Sequence, residues 1–303
     1  MKLIFLIVAV LCGLSIYAQQ EPHYTQYMYN MSTVNPGYMT NEPGLIKVGS
    51  LYRTQWVGIE GAPKTANVFA HIPLNERIEL SLNYLNDKIG SNGNLQENVF
   101  NIDVAYKIKL KENLNLSFGM KMGLGQLSFD FSNTNLSSDI AFQNTNKTLF
   151  NIGAGAFLFK EQFYIGLSSP NLIPTEVSNS SETIYTRKQH LFLIGGYVFK
   201  MNDNIKLKPS TVIKHVNGAP LTFDFSTNVL LYNKFEIGAS YRYQDAVAGL
   251  LGFNVTNNLR LGYAYDFNTS ELNDFNSGSH EFVLRYTFDV LGLSKKYDSP
   301  RFY

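Results

Sequence analysis

Ser279–Phe288, SHEFVLRYTF, alternates apolar and polar residues one for one. Phe282, Leu284, Tyr286 and Phe288 share one face of an extended chain, while Glu281, Arg285 and Thr287 share the other. Successive strand side chains point to opposite faces, so this decamer is a strand with one greasy wall and one polar, charged wall. Leu259–Phe267, LRLGYAYDF, repeats the pattern, with Leu259, Leu261, Tyr263, Tyr265 and Phe267 set against Arg260, Gly262, Ala264 and Asp266. Strands of this kind, joined by turns and placed behind an export signal, describe a transmembrane barrel that is apolar outside and polar inside.

Moving back along the chain, the pattern recurs. From Leu45 onward we read about fourteen candidate strands, near 45–56, 64–73, 78–87, 97–110, 113–129, 149–160, 162–168, 189–200, 205–216, 221–232, 234–244, 246–256, 259–268 and 279–289. Links after even candidates are short, such as Lys111–Glu112, Glu161 and Asn257–Asn258. Those after odd candidates are mostly longer, such as Asp130–Thr148, Ser169–Lys188 and Asn268–Gly278. Outer-membrane barrels have short periplasmic turns and longer outer loops. The expectation is an all-β, antiparallel barrel of about 14 strands with both termini periplasmic. A soluble β-sandwich also alternates, but its greasy face would be the core, and exposed aromatic girdles would be out of place.

The first residues, MKLIFLIVAVLCGLSIYAQQ, read as a signal peptide. The expected organisation is 1–18 signal peptide, 19–44 a pre-barrel periplasmic or plug segment, 45–290 the barrel and 291–303 a periplasmic tail. Cleavage removes Cys12, the only cysteine, and leaves no thiolate for a disulfide or metal site. It also removes Lys2, so 25 Lys+Arg less one leaves 24 against 24 Asp+Glu. A neutral chain makes no case for nucleic acid. Mean hydropathy of -0.11 is too low for a helical membrane protein and suits strands that are half polar. Aromatics at 14% fit the two interfacial girdles.

Chemistry-bearing patterns are sparse. The histidines, His23, His71, His190, His215 and His280, stand apart, and no nucleophile elbow, phosphate loop or calcium loop occurs. We expect no catalytic residue, no metal and no cofactor, and therefore no enzyme. The inward charges Arg242, Arg260, Arg285, Glu236, Asp266 and Glu281 are expected to form a lumen network, because isolated charges in a poorly hydrated interior are costly. Tyr52–Lys64, YRTQWVGIEGAPK, exceeds what a strand needs and reads either as a packed loop folded onto or into the barrel or as a simple tight loop with an interfacial Trp56. Tyr24, Tyr27, Tyr29, Trp56, Arg301, Phe302 and Tyr303 are candidate partner-binding residues, since Tyr, Trp and Arg anchor interfaces well.

Seven stretches carry a family resemblance in order along the chain: QYMYNMSTVNPGY (Gln26–Tyr38), YRTQWVGIEGAPKT (Tyr52–Thr65), NDKIG (Asn86–Gly90), GLSSPNL (Gly166–Leu172), GYAYDF (Gly262–Phe267), GSHEFVLRY (Gly278–Tyr286) and SPRFY (Ser299–Tyr303). Together they resemble the PorP/SprF family of Bacteroidota outer-membrane proteins associated with type IX secretion and gliding motility. The resemblance implies a structural and interaction component of the outer membrane. Its implied partners are outer-membrane lipid, type IX secretion components and a secreted adhesin's C-terminal domain, with cell-surface adhesin anchoring as the role. A porin-like or small-hydrophobe transport channel is the alternative.

Overall fold

The computed structural model describes residues 22–91, 94–111, 113–132, 144–179 and 182–290. Residues 1–18 and the tail with Arg301, Phe302 and Tyr303 lie outside them. In chain order the strands are β1 (Leu45–Thr54), β2 (Lys64–Pro73), β3 (Ile78–Ile89), β4 (Leu95–Lys111), β5 (Leu114–Phe129), β6 (Thr145–Phe159) and β7 (Phe163–Ser169), then β8 (Thr175–Asn179) and β9 (Glu182–Arg187). They continue as β10 (His190–Tyr197), β11 (Phe199–Lys200), β12 (Ile205–Val216), β13 (Thr222–Leu231), β14 (Phe235–Arg242), β15 (Ala246–Asn254), β16 (Leu259–Asn268) and β17 (Ser279–Asp289). Fifteen of them share one sheet. Both β10 and β11 pair with β12 and are one stave interrupted at Val198, so fifteen less one gives fourteen staves.

The sheet closes on itself. Strand β17 pairs antiparallel with β1 from Leu45↔Asp289 to Thr54↔His280, and every other neighbour pair is antiparallel too. Closure leaves no strand edge for lipid to meet, which a spanning sheet requires. Phe282, Leu284 and Phe288 of β17 are exposed and Glu281 and Val283 buried. The same outward row runs Phe100, Ile102, Val104, Tyr106, Ile108 and Leu110 on β4. That row covers eleven residues, the length a tilted strand needs to cross a bilayer.

Strands β4, β5 and β6 run past this belt at the long-link end. Their lower sequence contrast there explains why the candidates at 97–110 and 149–160 start later than β4 and β6 do. Inside the extension Leu127 and Leu149 are buried, and Val177 of the β8–β9 hairpin packs on them. This hairpin occupies the Ser169–Lys188 link, which reads in sequence as a loop because its strands are short and largely polar. It folds over the barrel mouth.

Candidate functional site

The lumen is filled by the chain's own N-terminal segment. It runs from Pro22 to Gly44 through two short 3-10 turns, Tyr27–Tyr29 and Met31–Thr33. Tyr24, Tyr27, Met28, Tyr29, Met31, Val34 and Tyr38 join one core cluster with barrel residues such as Phe157, Tyr164, Ile194 and Val283. Residues 22–26 sit at the long-link end, beside the first residues of β13 and β17. Residues 40–44 sit at the short-link end, where β1 begins.

At the long-link end a carboxylate knot holds the segment. Glu281 accepts the backbone N–H groups of Thr25 (3.0 Å) and Gln26 (2.7 Å), and Asp266 accepts the Thr25 hydroxyl at 2.7 Å. Arg53 donates to both carboxylates, at 3.1 Å to Glu281 and 2.7 Å to Asp266. His23 Nε2 lies 3.0 Å from Asp224, which also takes Arg242 at 3.2 Å. All of these groups are buried or nearly so, and buried charges are tolerated when paired and hydrogen-bonded in this way. Lower down, Asn30 donates to Asn67 at 2.8 Å, and Lys121 donates to the Ser32 carbonyl (3.0 Å) and forms an ion pair with Asp103 (3.2 Å). Tyr29 donates to Glu236 at 2.9 Å and accepts from Arg260 at 3.1 Å, and Arg260 pairs with Glu236 directly. At the short-link end Glu79 takes the Thr40 N–H and hydroxyl, each at 2.9 Å.

The NPGY turn (Asn35–Tyr38) lands on a strip of strand glycines. A Cβ at Gly119 would stand 2.0 Å from the Pro36 carbonyl oxygen, one at Gly155 2.1 Å from Asn35 Oδ1, and one at Gly166 2.5 Å from Asn35 Nδ2. Glycine inside a strand marks such close backbone approach. Gly119→Val should therefore force the turn off the wall. The expected cost is about 3 kcal/mol, the upper end of overpacking penalties, read as a lowered unfolding temperature in detergent together with faster proteolysis near Asn35. A Gly119→Val barrel with unchanged melting and cleavage would show that the turn does not rest there.

These positions correct parts of the sequence reading. Leu45 and Asp289 do end together at the short-link end, but Pro22 lies at the opposite end of the lumen, so both described ends of the chain do not share one face. A segment without periodicity gives no hint of its direction. Tyr24, Tyr27 and Tyr29 are 7%, 4% and 5% exposed, so they offer no surface to a partner. The expected network of inward charges does not include all six residues. Arg285 makes no ion pair among the described residues and lies 5.9 Å from the Tyr29 ring centroid. Four residues of extended chain separate it from Glu281, about 13 Å, whereas Arg53 stands directly across the β1–β17 ladder from Glu281. Arg260 reaches Glu236 across β15 because Gly252 lies between them without a side chain. Arg53, Glu79, Asp103, Lys121 and the asparagines were not among the candidate site residues, though their inward register on charged strand faces was the available signal.

At the rim, Gln55–Pro63 forms a compact loop against its neighbours and does not enter the lumen. Val57 N–H donates to Gly278 O at 2.9 Å and accepts at its carbonyl from Ser277 at 2.7 Å. Trp56 has φ of 45°, a left-handed value unusual for a non-glycine residue, and its N–H donates to Ser279 Oγ at 3.2 Å. Trp56 is half-buried, while Val57 beside it and Phe275 opposite are exposed. Across the mouth, Arg187 of β9 pairs with Glu97 of β4 and latches the hairpin down. Among the described residues no group of three or more His, Cys, Asp or Glu side chains is placed to hold a metal ion.

Comparison with known proteins places this geometry. The family model described as "Type IX secretion system membrane protein PorP/SprF" matches residues 16–286. No curated protein matches the chain in sequence. Among solved structures, the CymD monoaromatic hydrocarbon channel superposes with a TM-score of 0.54 at 12% identity, covering 87% of this chain and 92% of that one. The Ralstonia pickettii toluene transporter TbuX gives 0.51 at 10% identity, covering 84% and 92%. The Acinetobacter baumannii outer membrane protein Omp33 gives 0.50 at 9% identity, covering 82% and 99%. At such identities the likeness is one of fold, an outer-membrane barrel.

Proposed function

The chain belongs to the PorP/SprF family of type IX secretion system membrane proteins, and from that membership we propose that it serves in the outer membrane as a non-enzymatic anchor. In this reading it holds a secreted adhesin at the cell surface, or contacts periplasmic components of the secretion machine. The observation that carries the reading is the occupied lumen. A segment bonded to the wall from Glu281 at one end to Glu79 at the other runs through the lumen of the described residues, which supports a platform rather than a passage. Such a barrel is built to present its two ends. The long-link end, with the Trp56 loop and the latched hairpin, faces outward. The short-link end and the 291–303 tail face the periplasm.

A channel for small solutes or hydrophobes is the second reading, favoured by a fold shared with a toluene transporter and a hydrocarbon channel. It requires the lumen segment to leave. Deletion of Ser299–Tyr303 tests the anchor role. The truncated barrel should insert at normal abundance, and adhesin display at the surface should fall to background. Normal display by that truncation would remove the tail from the docking surface. Affinity purification of the full-length barrel from native outer membranes, with mass-spectrometric identification of what remains bound, should return type IX components or an adhesin C-terminal domain. Recovery of the barrel alone would argue against the anchor reading.

A further inference from the structure

The outer wall is not evenly convex. On the side formed by β13–β17 and β1 it carries a concavity of about 770 Å³, lined by Tyr52, Phe235, Leu251, Phe253, Tyr263 and Phe282 among others. These side chains point away from the lumen, into the apolar belt. Ser50, a small outward residue of β1, leaves space between the larger side chains, and the backbone of the inward-facing glycines Gly252 and Gly262 forms part of its base. One end of the concavity is marked by a cation. Lys234, in the turn between β13 and β14, is exposed, and its Nζ stands 5.4 Å from the Phe253 ring centroid and 5.8 Å from that of Phe235. Both rings line the concavity. Attraction between an ammonium group and the ring faces holds the charge at the groove's end, at the short-link level where headgroups lie.

An apolar groove open to the hydrocarbon and closed at one end by a fixed positive charge matches one molecule in its surroundings. We propose that this concavity is a binding site for a phospholipid with an anionic headgroup, its acyl chain lying between the aromatic side chains and its phosphate at Lys234. The charge discriminates against the other occupants of such a wall. A hydrocarbon or a neutral apolar helix gains nothing from an ammonium group, whereas an anionic phosphate gains a direct electrostatic contact. The groove lies outside the barrel, so the inference stands apart from any role for the lumen or the tail.

The test is native mass spectrometry of the full-length barrel in mild detergent. Delipidated protein is titrated with dioleoyl phosphatidylglycerol and, separately, with dioleoyl phosphatidylcholine. The expected result is a discrete one-lipid adduct with phosphatidylglycerol at concentrations where phosphatidylcholine gives at least tenfold less. Lys234→Glu and Ser50→Trp should each cut the phosphatidylglycerol adduct at least tenfold, the first by charge reversal and the second by filling the groove. Met120→Trp, on the exposed wall of β5, should leave it unchanged. Heat-modifiable migration on a gel verifies that each variant is folded, and Lys234→Gln repeats the charge test without repulsion. Equal binding of the two lipids, equal adducts in all variants, or a protein bound on this wall in place of lipid would overturn the proposal.

Discussion

Deleting residues 22–41 should convert a non-conducting barrel into an open pore. Every wall hydrogen bond between staves lies outside the deleted stretch, from β1 pairing with β17 round to β10 pairing with β12, so the barrel itself should still form. What leaves is the packing of Tyr27, Met28, Tyr29, Met31 and Tyr38 through the lumen. Charged groups such as Lys121, Glu79 and Glu281 then face water, which solvates them readily. In planar bilayers the full-length protein should give no stable steps, and the deletion should give ohmic steps of reproducible size. Unboiled and boiled samples of both should migrate differently, as folded barrels do. A deletion that inserts, folds and stays silent would mean that wall side chains close the lumen unaided.

Glu281→Leu should be among the most damaging single substitutions in the barrel, and Arg285→Leu a mild one. Glu281 is fully buried and accepts three donors, the Thr25 and Gln26 N–H groups and Arg53. Leucine leaves two backbone donors orphaned, at about 1–3 kcal/mol each when buried. It also leaves Arg53 with Asp266 as its remaining carboxylate partner among the described residues, and breaking a buried ion pair from one side costs about 3–5 kcal/mol. The total effect should be at least about 3 kcal/mol in denaturant unfolding from detergent. Arg285 makes no ion pair among the described residues, so its loss removes chiefly the contact with the Tyr29 ring, about 1–2 kcal/mol. Equal effects of the two substitutions would contradict the pairing described for the knot.

The fold was legible because a membrane wall imposes one chemistry on every other residue. The rows on β17 and β16 could be read directly, and alternating link lengths supplied the antiparallel order. The hairpin of β8 and β9 was not legible, since it meets water and the mouth rather than lipid and so lacks the contrast. The segment at 19–44 stays open in sequence between a periplasmic and a plug reading for a different reason. Its partners are remote in sequence, with Thr25 bonding a residue 256 positions away, and no periodicity marks a chain that bonds side chains one at a time. Two signals pointed to it all the same. Gly119 and Gly155 lie in strands where only a close backbone neighbour needs glycine, and Asn35–Tyr38 is a turn with no strand on either side to join. The expected charge network named residues that do lie in the lumen but no pairs among them, and ladder partners face each other across strands. Arg53 opposite Glu281 and Asp224 opposite Arg242 follow that cross-strand rule.

The central claim is that residues 22–44 thread the lumen, and proximity between Asn30 and Asn67 tests it most directly. Their side chains meet at 2.8 Å deep inside the barrel. With Cys12, the only cysteine, replaced by serine, Asn30→Cys and Asn67→Cys together should be bridged nearly quantitatively by a short thiol-to-thiol crosslinker in native outer membranes. Peptide mapping should then recover one joined peptide from the lumen segment and β2. Two free thiols that label independently with a maleimide, in a barrel still folded by gel shift, would contradict the account.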